Sequence, residues 1–254
     1  MRFIEKTGPE LGRLDRDTVI VLPLGAIEQH GPHLPVSTDY TIADTVASAV
    51  VPMALDQGTN TLLLPSLAYT KSDEHAWSPG TIWLSWDTLM RTLVDIGRSL
   101  ASTPARRLLF LNAHGGNSAL LQVASRELRR EFGLQTFVAH PALPASMGGA
   151  SADNPERGLG VHGGHSETSL MLHLRPDLVH MEHAKRWVPD HLAEYEHIGF
   201  GKPVSFGWLS NDFNDDGVLG DASTANAEYG KQLFERAVDT LVSVLAEVEG
   251  FRPA

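Results

Sequence analysis

Glu28, His30 and Asp39 place three metal-ligand side chains in one short stretch. They lie in Leu24-Gly25-Ala26-Ile27-Glu28-Gln29-His30-Gly31-Pro32-His33-Leu34-Pro35, followed by Thr38-Asp39, directly after the apolar run Thr18 to Leu24. In an extended chain side chains alternate faces, so Glu28 and His30 point to a common side and Gln29 points away. Gly31 and Pro32 turn the chain, and Asp39 arrives just ahead of a helical pattern that starts near Thr41, where its carboxylate is placed to bridge two cations. Taken singly, Asp39 reads as a helix cap, Glu28 as a solvated carboxylate and His30 as a loop histidine. Taken together, they read as a metal site.

Three other stretches add candidates. His114 falls in Asn112-Ala113-His114-Gly115-Gly116-Asn117, where the glycines let the backbone pass close to a metal and Asn117 is expected to cap the next helix. His162 is followed closely by Glu167, and Asp73-Glu74-His75 lies in a long loop. The chain has no cysteine, which leaves only nitrogen and oxygen ligands, a set that suits Zn, Mn or Fe. Two such ions about 3.5 to 4 Å apart, bridged by a carboxylate, hold a water between them as nucleophile. Amide hydrolysis needs that combination, and no Gly-x-Ser-x-Gly nucleophile elbow competes with it.

The elements that must position these residues are legible from periodicity. Buried strands are expected at Thr18 to Leu24, Thr61 to Leu64, Leu108 to Leu111 and Thr136 to Ala139. Helices are expected over Ile42 to Leu55, Trp86 to Leu100, Leu120 to Phe132, Glu167 to Leu174 and Thr224 to Glu249. Alternating strands and helices imply a mostly parallel sheet flanked by helices on both faces, with its site beyond the strand carboxyl ends. The segments after Leu24 and Leu111 both fall at such ends. Residues 68 to 81, 142 to 164 and 199 to 221 read as loops, rich in Gly, Pro and polar residues.

Composition bounds the rest. A chain of 254 residues with no compositional break reads as one domain, 1 to 254. A formal charge of −11, from 20 basic and 31 acidic residues, argues against nucleic acid and anionic lipid as partners. No apolar run approaches the roughly 18 residues of a membrane helix, and the opening Met1-Arg2-Phe3-Ile4-Glu5-Lys6 lacks a signal-peptide core, so a soluble cytoplasmic protein is expected.

The motifs carry a resemblance. Leu24-Gly25-x-x-Glu28-Gln29-His30-Gly31-Pro32-His33-Leu34-Pro35 with Thr38-Asp39, then Asn112-x-His114-Gly115-Gly116-Asn117, then His162-x-Gly164-x-x-Glu167-Thr168-Ser169 resemble, in order, the three motifs of the creatininase (creatinine amidohydrolase) family. The resemblance covers about residues 15 to 245 and includes Pro79-Gly80-Thr81 and Gly217-x-x-Gly220-Asp221. It implies a three-layer α/β sandwich, a homohexamer built as a trimer of dimers, and two divalent metal ions (Zn, Mn or Fe) serving hydrolysis of a C–N amide bond in a small cyclic or linear amide by metal-bound hydroxide.

The resemblance also assigns roles. Glu28 and His114 match ligands of one metal, His30 a ligand of the other and Asp39 the bridge. His162 matches the histidine that passes a proton to the leaving nitrogen. Creatininase proper has a further glutamate ligand where this chain has Gly116, and Glu167 is the natural replacement. Its plainer reading is an acidic residue favouring a helix N-terminus. His165 is a weaker candidate. Creatininases also sandwich creatinine between tryptophans from the loop before the third motif, and residues 140 to 165 contain none. Trp77 and His75 are therefore the candidates for substrate contact, Trp77 also reading as core packing. Within the family, a peptidase that trims the mycofactocin precursor and a formamide hydrolase of deazaflavin biosynthesis fit equally well. Outside enzymes, the alternative is a binding protein stapled by a closed metal site.

Overall fold

The computed structural model describes residues 1–141, residue 156 and residues 158–253. Most of the segment read as an irregular loop over 142 to 164 lies outside the described residues.

Strands β1 (Val19–Leu24), β2 (Thr61–Leu63), β3 (Arg107–Asn112) and β4 (Gln135–Ala139) form a sheet ordered β2-β1-β3-β4. Every neighbouring pair is parallel. The connections carry helices α1 (Thr38–Asp56), α2 (Trp86–Leu100) and α3 (Ser118–Phe132), while α4 (His165–Leu174) and α5 (Ala227–Gly250) follow the last strand. Both faces of β1 are buried, so every one of its residues is apolar, as a strand covered on two sides requires.

The pleat sorts β1 and β3 between two apolar layers. Val19, Val21, Leu109 and Leu111 pack with residues of α1, α4 and α5, among them Val46, Met171 and Leu241. Ile20, Leu22, Leu108 and Phe110 pack with residues of α2 and α3, among them Leu89, Leu93 and Leu121. The result is the parallel sheet covered on both faces that the alternating pattern implied, and the three-layer α/β sandwich that the family resemblance implied.

Two details place the site. Leu24 and Asn112 are register partners at the ends of β1 and β3, and Ala113 N donates to Leu24 O at 2.9 Å, so the two ligand-bearing loops leave the sheet side by side. Helix α1 begins at Thr38 rather than near Thr41. Asp39 is thus buried in the first helical turn, at the positive end of the helix dipole.

Candidate metal centre

Glu28, His30, Asp39, His114 and His162 are all buried, and Glu167 is half-buried on the first turn of α4. The Asp39 carboxylate stands between two imidazoles, with Oδ1 3.3 Å from His30 Nε2 and Oδ2 3.0 Å from His114 Nδ1. Glu28 Oε2 lies 3.2 Å from His114 Nδ1. The donor atoms fall into groups compact enough for single ions: Glu28, Asp39 and His114 in one, His30, Asp39 and Glu167 in another, and Glu28, His30 and His162 in a third that overlaps both.

Each histidine of the cluster spends one nitrogen on a backbone carbonyl. His30 Nδ1 donates to Glu28 O at 3.2 Å, His114 Nε2 to Lys71 O at 2.7 Å and His162 Nε2 to Gln29 O at 2.8 Å. A carbonyl oxygen can only accept, so those nitrogens carry the hydrogens. His30 Nε2, His114 Nδ1 and His162 Nδ1 are left facing the carboxylates, placed to give lone pairs to a cation that displaces a proton. This orientation by outer hydrogen bonds is the usual support of metal-binding imidazoles.

The donor set fits cations. Glu28 Oε1, His30 Nε2 and Asp39 Oδ2 are buried with no hydrogen-bond partner, a costly state that an ion removes. Charge balance agrees. Burial alone would lower the affinity of His30 for a proton, yet Asp39 drives it up to about 10, and the Glu28 and Asp39 charges overcome burial to raise His114 well above its usual value. Burial works to raise Asp39, but His30 and His114 hold it well below the ordinary carboxylate range. Three clustered carboxylates call for positive charge, which protons supply in the bare protein and divalent ions supply in full.

Glu167 Oε2 accepts from Gly163 N at 2.6 Å, which anchors the carboxylate beside His30 and Asp39. Glu74 occupies the space beside Gly116. A Cβ on Gly116 would collide with Glu74 Oε1 and with His114 Nε2, so that position admits no side chain while both are in place. His162 is pushed well below its usual pKa, first by burial and then by the neighbouring His75 and His30, so it is neutral near pH 7. His75 is buried against it with ring centroids 4.1 Å apart.

The centre opens into a cavity of about 820 Å³. His75 lines it, as do Phe206 and Trp208 from the segment before Ser210. Trp77 is not among the lining residues. Its Nε1 donates to Ser210 Oγ at 2.7 Å, and Ser210 Oγ donates to Glu74 O at 3.2 Å, so Trp77 ties two loops together and the aromatic wall comes from Trp208. Asn117 stands at the N-cap position of α3 but its side chain makes no capping hydrogen bond. Its Oδ1 accepts from Lys71 N at 3.2 Å and its Nδ2 donates to Asn112 Oδ1 at 3.1 Å, because burial between the loops turns the amide inward. His165 pairs with Thr224 Oγ1 at 2.9 Å and belongs to none of the ligand groups.

Periodicity missed Gln29, Ser72 and Trp208. Gln29 Oε1 accepts from Gly31 N at 2.9 Å, which folds the side chain behind the histidines, where its Nε2 meets His75 and Gly217. Ser72 gave no signal beyond standing next to Asp73-Glu74-His75, and Trp208 lies in a loop without a pattern.

The profile of the Creatininase family, described as creatinine amidohydrolase, matches residues 5–245. The chain belongs to this family. This creatininase-family chain is 37% identical over 232 residues to the mycofactocin precursor peptide peptidase of Mycobacterium ulcerans, covering 89% of the chain and 84% of that protein. It is 33% identical over 253 residues to the creatinine amidohydrolase of Pseudomonas putida, covering 91% and 90%. A solved structure named as a manganese creatininase superposes with a TM-score of 0.72 at 30% identity, covering 99% of this chain and 98% of the other.

Proposed function

We propose that this creatininase-family hydrolase uses two divalent metal ions to cleave a C–N amide bond in a peptide-sized substrate, and that residues 1–254 act as one domain. The observation that carries the reading is the Asp39 carboxylate, which turns one oxygen to His30 and the other to His114. Glu28 and His114 would hold one ion, His30 and Glu167 the other, and Asp39 both. The nitrogen and oxygen donors suit Zn, Mn or Fe.

When bound, such ions polarise an amide carbonyl and make a water acidic enough to ionise near neutral pH. The chain's own residues supply the remainder. His162 keeps Nε2–H on the Gln29 carbonyl and offers Nδ1, 3.6 Å from Glu28 Oε1, as the atom that takes a proton and returns it to the departing nitrogen. Phe206 and Trp208 screen one side of the cavity from water and give an apolar face to the substrate.

A cavity of about 820 Å³ lies in the upper part of the range for small-ligand sites and leaves room for more than a single small ring. The peptidase relative at 37% identity supports the same choice. Creatinine is the second reading, favoured by the relative at 33% identity. A metal-stapled binding protein is disfavoured, because His162 sits beside the ligands with a bare nitrogen that a closed structural site does not need.

For assembly, we infer a homo-oligomer, on the family pattern a hexamer built as a trimer of dimers. Ile82, Trp83 and Trp86 are exposed at 53%, 42% and 65%, an apolar surface suited to a subunit contact. No helix among the described residues is long and apolar enough to cross a membrane, and the acidic balance disfavours nucleic acid as a partner. The test is a hydrolysis screen of the metal-loaded protein on short peptides, creatinine, lactams and formamides. Cleavage of peptides above the other substrates is expected, and turnover of creatinine alone would overturn the peptide reading.

A further inference from the structure

Gln29 and His75 take no part in the ligand groups, yet both are buried at the centre. Their hydrogen bonds determine which atoms carry hydrogen. Gln29 Oε1 accepts from the backbone Gly31 N at 2.9 Å, and its Nε2 donates to the Gly217 carbonyl at 3.1 Å, so the orientation of the amide is settled by two backbone groups. The second hydrogen of that Nε2 meets His75 Nδ1 at 3.0 Å, nearer than Ser210 Oγ at 3.5 Å. His162 Nε2, at 3.2 Å, does not compete for it, because its own hydrogen goes to the Gln29 carbonyl at 2.8 Å. His75 Nδ1 is therefore an acceptor, and Nε2 is the N–H of a neutral ring.

That N–H faces the reacting centre. Glu28 Oε1 has His162 Nδ1 at 3.6 Å, His75 Nε2 at 3.7 Å and His30 Nε2 at 3.9 Å around it, and bonds to none of them. At 3.7 Å, His75 has no true hydrogen bond to this carboxylate, and no other described residue accepts from its Nε2. His75 and His162 line the cavity together, so a substrate reaching His162 also reaches His75.

We propose that His75 is a catalytic hydrogen-bond donor, held in its Nε2–H tautomer by the positioning residue Gln29, and that it stabilises the carbonyl oxygen of the substrate as negative charge collects there. This rests on the amide-hydrolase reading above. The paired histidines then have opposite tasks from one stack: His162 presents a lone pair for proton transfer, and His75 presents a hydrogen that is shared and never transferred. A donor prearranged toward a developing oxyanion acts in the transition state more than in substrate binding.

The test uses the intact metal-loaded protein, with zinc for the spectra, and the variants His75→Ala, His75→Gln and Gln29→Glu. His75→Ala is expected to keep the wild-type metal content and a KM within about threefold, while kcat falls by roughly 10² to 10³, the usual loss for one oxyanion donor. His75→Gln, whose amide nitrogen reaches the place of Nε2, is expected to recover most of that loss. Nitrogen-15 spectra of histidine-labelled protein are expected to show a protonated Nε2 and a bare Nδ1 for His75, and the reverse in Gln29→Glu, whose carboxylate accepts where the amide donated. Loss of metal in His75→Ala, an undiminished kcat, or a protonated Nδ1 in the wild type would each overturn the assignment. A wild-type protein that binds metal and hydrolyses no amide would overturn the amide-hydrolase reading instead, and the catalytic role of His75 with it.

Discussion

Ser72 Oγ donates a hydrogen bond of 2.5 Å to Glu28 Oε2 across a separation of 44 residues, and both side chains are fully buried. The hydroxyl fixes the carboxylate oxygen that also faces His114. Ser72→Ala is expected to weaken metal binding by roughly 10- to 100-fold, as loss of an outer-shell partner commonly does, while the fold persists. Competition with a chelator of known affinity measures this, and unchanged affinity would leave Ser72 a packing residue.

His162→Ala separates proton transfer from metal binding. The variant is expected to retain its metal and to lose about 10² to 10⁴ in turnover, the range for a general acid or base. Metal loss would move His162 into the ligand set, where the group of Glu28, His30 and His162 already gives it a place.

Glu167→Gln tests the carboxylate proposed above to replace the ligand absent at Gly116. About one of two bound ions is expected to be lost, read as metal stoichiometry. The metal-free protein gives an independent check. Burial, ahead of the nearby charges, raises the Glu167 carboxyl from its ordinary 4.5 to about 7. An acid whose folded pKa exceeds its unfolded one destabilises the fold only once the unfolded chain can ionise. The penalty is absent below about 4.5, grows as pH rises and is complete above about 7. Denaturant titrations of the two metal-free proteins should therefore show the Glu167→Gln variant gaining on the wild type across that window, and a pH-independent difference would contradict the buried-acid account.

Trp208→Ala removes the larger of the two aromatic residues, Phe206 and Trp208, that line the cavity. For a peptide substrate kcat/KM is expected to fall by about 10-fold, mainly through KM, since the indole contributes apolar contact to ground state and transition state alike. Trp77→Phe removes the bond to Ser210 and is expected to cost stability more than substrate affinity, so a change confined to KM would return Trp77 to the substrate site.

Much of this centre was legible because its parts obey local rules. The apolar run of β1 announced a strand buried on both faces, and alternation beyond it brought Glu28 and His30 to one side, where their facing atoms lie 3.9 Å apart. Asp39 was visible as a carboxylate at a helix start, and the parallel sheet placed His114 at the neighbouring strand end. What escaped depends on contacts between distant segments. Alternation turns Gln29 away from Glu28 and His30, but nothing local shows that its amide finds Gly217 across 188 residues. Glu74 fills the space left by Gly116, and Ser210 captures Trp77 across 133 residues. No periodicity within a segment encodes such pairings, so the outer supports of the centre became visible only in three dimensions.

Asp39 is the residue on which the proposed bridge turns, since two of the three candidate ligand groups share it. The most direct measurement is elemental analysis of the purified protein and of Asp39→Ala at known concentration. A carboxylate-bridged centre predicts about two equivalents of Zn, Mn or Fe per chain in the wild type, and close to none, with no hydrolysis, in the variant. A wild type that holds one equivalent or fewer after metal is added back, or an Asp39→Ala protein that keeps both ions and full activity, would contradict the bridged two-metal centre.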